Sequence, residues 1–388
     1  MPKLFEGVDS ATAVHFTWTP HWHWRSKASP VAPENGPLTS TWVYRSPAST
    51  VSPRRLIDGT TLSMPATSKN LAEYPHARTQ QDGLCFPILR RVALISLATR
   101  MVSAAAMGPY SGKETGETAL FQQVFGDLSQ GDVVLADRYY CGWFMLVLLQ
   151  ALGIEFVVRL HHLRKADFSR GRRLGKGDHL VAWPKPQRPE WMDQKTCDSL
   201  PQELVVREIE VQVNIPGFRV QTLVVVSSLV DHHDCAKSDL AALYRRRWLV
   251  ELHLRDIKSA LKLDILRCKT PDRVRQEIWT GLLAYNLVRQ SILQSAVRVG
   301  CRPDTVSFTA ALQLMAATWL LAATLHRTSQ IVDLLMSLRT THGASHRVGN
   351  RPNRVEPRAI RRRPKSHDLL TKPRNEARDE LLQTPGRS

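Results

Sequence analysis

The chain has 388 residues, 43% of them hydrophobic, which is enough for one large domain or two ordinary ones around a buried core. Its formal charge of +18 and pI near 10.0 point away from a neutral small-molecule enzyme and toward a polyanionic partner, of which nucleic acid is the commonest. Scattered cysteines with no CxxC pair exclude a zinc-ribbon site or a disulfide framework, and the N-terminus lacks the basic start and apolar run of a signal peptide, so a reducing cytoplasm is expected.

Residues 1–50 set Trp18, Trp22, Trp24 and Trp42 among Pro, Ser and Thr with no sustained period. They read as a poorly ordered segment, and the two His of HWHWR (21–25) are too weak a signal for a metal or haem site. The texture changes near 53. RRLIDGTTLSMP (54–65) predicts a short strand ending at Asp58 before a turn at Gly59. The Val-, Ile- and Ala-rich stretch 86–110 predicts two strands, near 88–98 and 101–107, in a hairpin, and 113–128 has helical spacing of Leu120, Val124 and Leu128. GDVVLADRYY (131–140) is a short buried strand, 143–153 a helix stopped by Gly153, and IEFVVRL (154–160) the next strand. The apolar run 144–158 carries Gln150 and Glu155 and is too short to span a bilayer, so no membrane is expected.

Residues 161–220 turn polar and Gly/Pro-rich, with alternating pieces such as 204–213, and read as a β-rich insertion. A buried strand returns at 221–230. One long amphipathic helix is predicted over 237–263, with further helices at 271–298 and 305–325. From about 346 the chain is basic and Pro-rich and reads as a flexible tail. These elements divide the chain into a segment 1–50, an α/β domain 51–340 containing the insertion, and a tail 341–388.

Carboxylates converging from different elements are what two-metal phosphodiester chemistry requires, with Mg²⁺ ions about 3.5–4 Å apart. Asp58 and Asp137 each follow an apolar run, where an Asp serves equally as turn former, helix cap or metal ligand. On the 237–263 helix, Tyr244, Arg247, Glu251 and Lys258 are separated by three, four and seven residues, which puts them on one face. That stripe reads either as a solvated ion-pair ladder, with Arg255 four residues beyond Glu251, or as a functional face bordering the core positions Leu243, Val250, Leu254, Ile257 and Leu261.

These residues carry a resemblance. YRRRWLVELHLRDIK (244–258) is similar at every required position to the Y-x2-R-x3-E-x6-K signature of DDE transposases of bacterial insertion sequences. LIDGTTLSMP (56–65) and GDVVLADRYYCGWF (131–144) resemble the segments around that family's first and second catalytic Asp, and 266–289 and 346–365 resemble its later parts. The resemblance implies an α/β, RNase H-like fold: a mixed five-stranded sheet with flanking helices and a β-rich insertion before the last catalytic helix. It implies two Mg²⁺ ions (Mn²⁺ substituting) on Asp58, Asp137 and Glu251, with Tyr244, Arg247 and Lys258 contacting DNA; Arg138 is a further candidate for phosphate, or for a structural ion pair. It implies a nucleoid-associated enzyme that cuts transposon ends and joins them to target DNA, working as a homodimer on paired ends, with no small-molecule cofactor. Family members carry a helical region before the first Asp that residues 1–50 do not resemble, so a truncated or altered copy is expected. Two other readings stay open: a remnant that binds DNA without chemistry, and a stand-alone nuclease on the same fold.

Overall fold

In the computed structural model of the chain, residues 53–76, 86–113, 115–212, 222–322, 324–325, 328–347 and 371–383 are described. In chain order they form β1 (Arg54–Ser63), α1 (Ser68–Glu73), β2 (Ile88–Ser96), β3 (Val102–Pro109), α2 (Glu117–Gln123), β4 (Val133–Ala136), α3 (Trp143–Ala151) and β5 (Glu155–Arg159). Then come β6 (Arg172–Gly175), β7 (Asp178–Pro184), α4 (Gln194–Ser199), β8 (Glu203–Gln212), β9 (Thr222–Ser227), α5 (Lys237–Arg245), α6 (Leu249–Arg255), α7 (Pro271–Val299), α8 (Phe308–Ala322), α9 (Thr328–Ser345) and α10 (Arg374–Gln383). The segment 1–50, most of the linker into the tail and the Trp-rich run lie outside the described residues.

The strands form one mixed sheet in the order β3-β2-β1-β4-β5-β9-β8-β7-β6. β1, β4 and β5 run parallel, and every other pairing is antiparallel. β4 is buried at every position, VVLA, because a central parallel strand has no solvent face. Alternation along β1 sends Leu56 and Leu62 into one core and Ile57 into the other. The first core lies under α5, α6, α7 and α8, through Leu240, Val250, Leu254, Ile278 and Phe308. The second lies under α2, α3 and α4, through Phe121, Leu146 and Cys197. Among the described residues no helix is long and apolar enough to cross a membrane.

Several expectations change. The sheet has nine strands, not five, because the insertion does not stand apart: β8 pairs with β9, β9 with β5, and β7 and β6 follow outward. A buried bidentate ion pair fastens it. Arg207 donates from Nε and Nη2 to Asp178 at 2.8 and 2.6 Å, and from Nη1 to the Cys235 carbonyl, just ahead of α5, at 2.6 Å. The 113–128 helix shortens to α2 and closes in a 3₁₀ turn at Phe125–Asp127. The strand at 54–65 does not stop at Gly59. It runs on to Ser63, with Gly59 opposite Val92 and Thr60 opposite Arg91.

The 237–263 helix is continuous but uneven in pitch. A 3₁₀ turn at Arg246–Trp248 tightens it between Tyr244 and Glu251, and a π turn at Asp256–Ala260 widens it before Lys258. Through these changes Arg247 still contacts Tyr244 and Glu251, and both Arg247 and Lys258 feel the charge of Asp58. Part of the tail expected to be flexible is helical, because RNEARDELLQ in α10 is built of strong helix formers.

Candidate active site

Asp58 and Asp137 owe their relation to strand register. Leu56 on β1 lies opposite Leu135 on β4, and the two strands are parallel. Each Asp comes two residues further along, so the carboxylates sit at the same level and share the face of Leu56 and Leu135. Asp137 lies just past β4 and caps the 3₁₀ turn Arg138–Tyr140, its Oδ1 accepting from the Arg138 N–H at 2.6 Å. Asp58 accepts from the Gly59 N–H at 2.9 Å.

Burial raises the Asp58 carboxyl from its ordinary 3.8 to about 6. Arg247 and the Gly59 hydrogen bond act against that rise, while the charges of Glu117 and Asp137 add to it. Such a carboxylate is poorly solvated, has like-charged neighbours, and gains from any cation brought to it.

Arg247 joins the three sequence-predicted carboxylates. It is 6% exposed, and burial alone disfavours its charge. Even so its pKa is raised, because Tyr244, Asp137, Asp58 and Glu251 all surround the guanidinium favourably. It donates to Glu251 Oε1 at 3.4 Å, a long bond to a side chain that is 61% exposed. Tyr244 is 1% exposed beneath Arg247, and burial pushes its phenol well up. A DNA contact by Tyr244 therefore requires the helix to move. Lys258, on the π turn, is half-buried; its pKa is lowered by burial first and by Arg91 second, against the pull of Asp264 and Asp58. Arg138 sits at the rim, its guanidinium 5.8 Å from the ring centre of the exposed Tyr139.

One residue of this neighbourhood was not legible in the sequence. Glu117, the first residue of α2, lays its carboxyl against Gly59: a Cβ built there would stand 2.3 Å from Glu117 Cδ. Tyr140 donates to Glu117 Oε2 at 3.2 Å, so the carboxyl is held between Gly59 and the turn after Asp137. Gly59 thus lies within a strand and not at a tight turn, and a side chain there would make the end of Glu117 shift. The only local hint was a glycine inside a strand-like run.

The donor set suits Mg²⁺ in kind, since hard carboxylate oxygens are its protein ligands. Asp58 and Asp137 suit it in register. Among the described residues, however, no three His, Cys, Asp or Glu side chains converge as a metal-holding group, and Glu251 faces Arg247 and solvent. Its hydrogen bond to Arg247 is through Oε1.

Comparison with known proteins gives three findings. A family model described as a transposase DDE domain matches residues 49–287. The transposase InsG for insertion sequence element IS4 of Escherichia coli (strain K12) is 29% identical over 318 residues, covering 79% of this chain and 67% of that protein. A cryo-EM structure of the piggyBac transposase synaptic complex with hairpin DNA is similar with a TM-score of 0.41 and 8% identity, over 75% of this chain. The present chain spans 53% of that transposase's length.

Proposed function

The chain belongs to the DDE transposases of insertion sequences, and from that premise we propose that it cuts DNA at transposon ends and transfers the freed 3′ ends into target DNA. The observation that carries this reading is the matched register of Asp58 and Asp137 on neighbouring parallel strands, with Arg247 placed between them and Glu251. The first five strands in sheet order, β3-β2-β1-β4-β5, form the RNase H-like frame in this reading, and β6–β9 form the insertion built onto it.

Asp58, Asp137 and Glu251 are the proposed ligands of two Mg²⁺ ions. Bound there, the ions supply an activated water and charge neutralisation for the oxygen that leaves phosphorus. The residues of the chain do the rest. Asp58 and Asp137 would hold their carboxylates at one level in the middle of the sheet, because their strands cannot shift relative to each other without breaking the β1–β4 ladder. Arg247, between the Asp pair and Glu251, would steady Glu251 in the free chain and offer its guanidinium to a phosphate when DNA arrives. Lys258 and Arg138 supply charge for flanking phosphates. In the first step water attacks phosphorus and the 3′ oxygen leaves; in the second that 3′ hydroxyl attacks a target phosphodiester, whose own 3′ oxygen leaves as a hydroxyl after taking up a proton. Paired transposon ends, a homodimer and a nucleoid setting belong to the same proposal, as does the division into the 1–50 segment, the 51–340 domain and the 341–388 tail.

A second reading, a DNA-binding remnant without chemistry, is favoured by the outward, ion-paired position of Glu251. One experiment separates the two: cleavage of a labelled duplex carrying the element's ends, in Mg²⁺ or Mn²⁺, beside Glu251→Gln. Gln keeps the shape and removes the charge that holds metal. Cutting by the parent and not by the variant supports the enzyme. Salt-dependent binding by both with cutting by neither leaves the remnant.

A further inference from the structure

Arg91 has no role in the chemistry above, yet it stands beside it. It lies on β2 opposite Thr60 of β1 and Met107 of β3, while Asp58 lies opposite Ala93. Arg91 and Ala93 are two residues apart and share a face, so Arg91 sits diagonally across from Asp58 on the face covered by α6 and the π turn. It is 0% exposed. Among the described residues none of its three guanidinium nitrogens, Nε, Nη1 or Nη2, has a hydrogen-bond partner. Burial lowers its pKa only to about 10, so it stays charged at neutral pH.

A buried, charged, unpaired guanidinium is among the least favourable groups a core can hold. A Met or Leu would fill the same space between Leu89 and Ala93 at no such cost. It disfavours the charge of another cation, Lys258 on the overlying turn. Asp58 and Asp264 act on Lys258 through their charge, but no acceptor among the described residues takes a hydrogen bond from Arg91, so a tetrahedral oxyanion brought here would meet donors from both cations. The cover is the π turn, an irregular stretch of the helix of a kind often found at functional sites.

We propose that Arg91 is the floor, and Lys258 the rim, of a pocket that takes a DNA backbone phosphate next to the one cut. This rests on the DNA-processing reading above. DNA lifting the π turn exposes the guanidinium, whose two-pronged face then receives the phosphate oxygens that the free chain does not supply.

The test uses the full chain without metal. A labelled duplex carrying the element's ends is titrated across a salt series with the parent, Arg91→Met and Arg91→Lys, and urea unfolding of each free protein is measured alongside. Arg91→Met is expected to bind about 10-fold more weakly, to lower the slope of log affinity against log salt by about one, and to unfold at a higher urea midpoint than the parent. Arg91→Lys keeps the slope. If Arg91→Met does not fold, Arg91→Gln gives the same reading of affinity and slope. Unchanged affinity and slope in a folded, uncharged variant overturn the pocket and leave the DNA-processing reading standing. A parent chain that shows no salt-dependent binding overturns both.

Discussion

Asp58→Asn separates stability from function in a way the structure makes quantitative. In the folded chain the Asp58 carboxyl is raised from 3.8 to about 6, chiefly by burial. A rise of that size disfavours the ionised side chain by about 3 kcal/mol at most, and residual solvent contact reduces this to roughly 2 kcal/mol. The sign follows from linkage. A group whose pKa is higher in the folded than in the unfolded state favours folding below the unfolded value and loses that contribution as pH climbs through about 6. At pH 8 without metal, the native chain therefore carries a desolvated, ionised carboxylate that the variant lacks. Asn still offers an oxygen to the Gly59 N–H. Urea unfolding in EDTA should show the variant more stable than the parent by about 2 kcal/mol at pH 8, with the gain vanishing near pH 4. A variant equal to or weaker than the parent at pH 8, or a gain independent of pH, would refute the account of Asp58 as a strained, cation-seeking group.

Gly59→Ala should destabilise by about 1–2 kcal/mol, because the new methyl group displaces the Glu117 carboxyl from its seat and breaks the Tyr140 hydrogen bond. In the Gly59→Ala/Glu117→Ala double variant the clash is gone, so thermal unfolding should show a coupling of at least about 0.5 kcal/mol; simple additivity would contradict the contact. Asp178→Ala should cost about 3–5 kcal/mol by leaving Arg207 charged and buried, and native-state hydrogen exchange should rise first in β6–β8. Loss confined to helices α7–α9 would count against the ion pair as the fastening of the insertion.

Much of the frame was visible in the chain. The β2–β3 hairpin, β4, α3 and β5 follow from uninterrupted apolar runs and their flanking turns, and α7 from a Pro at its first position and Gly300, at φ 65°, closing it. Asp58 and Asp137 pair through the family resemblance of their segments; the register that sets them level could not be read from the chain. What stayed hidden depends on tertiary approach. Gly59 resembles a breaker, and only the Glu117 carboxyl packed on it explains why the strand runs through. Arg91 looks like one of many basic residues until the sheet buries it. The ninefold width of the sheet could not be read because polar, Gly-rich strands such as β6 have no periodic signature.

The π turn at Asp256–Ala260 makes the helix carry one residue of slack. Spacing counted along the chain, six residues between Glu251 and Lys258, is then not a statement about angle. Were the slack taken up, each side chain beyond it would swing round the axis by about 100°. The acidic and basic ends of the motif would then trade alignment without any change in their separation in sequence. A wide turn at this place sets the angle between the carboxylate and the ammonium group independently of their spacing in sequence.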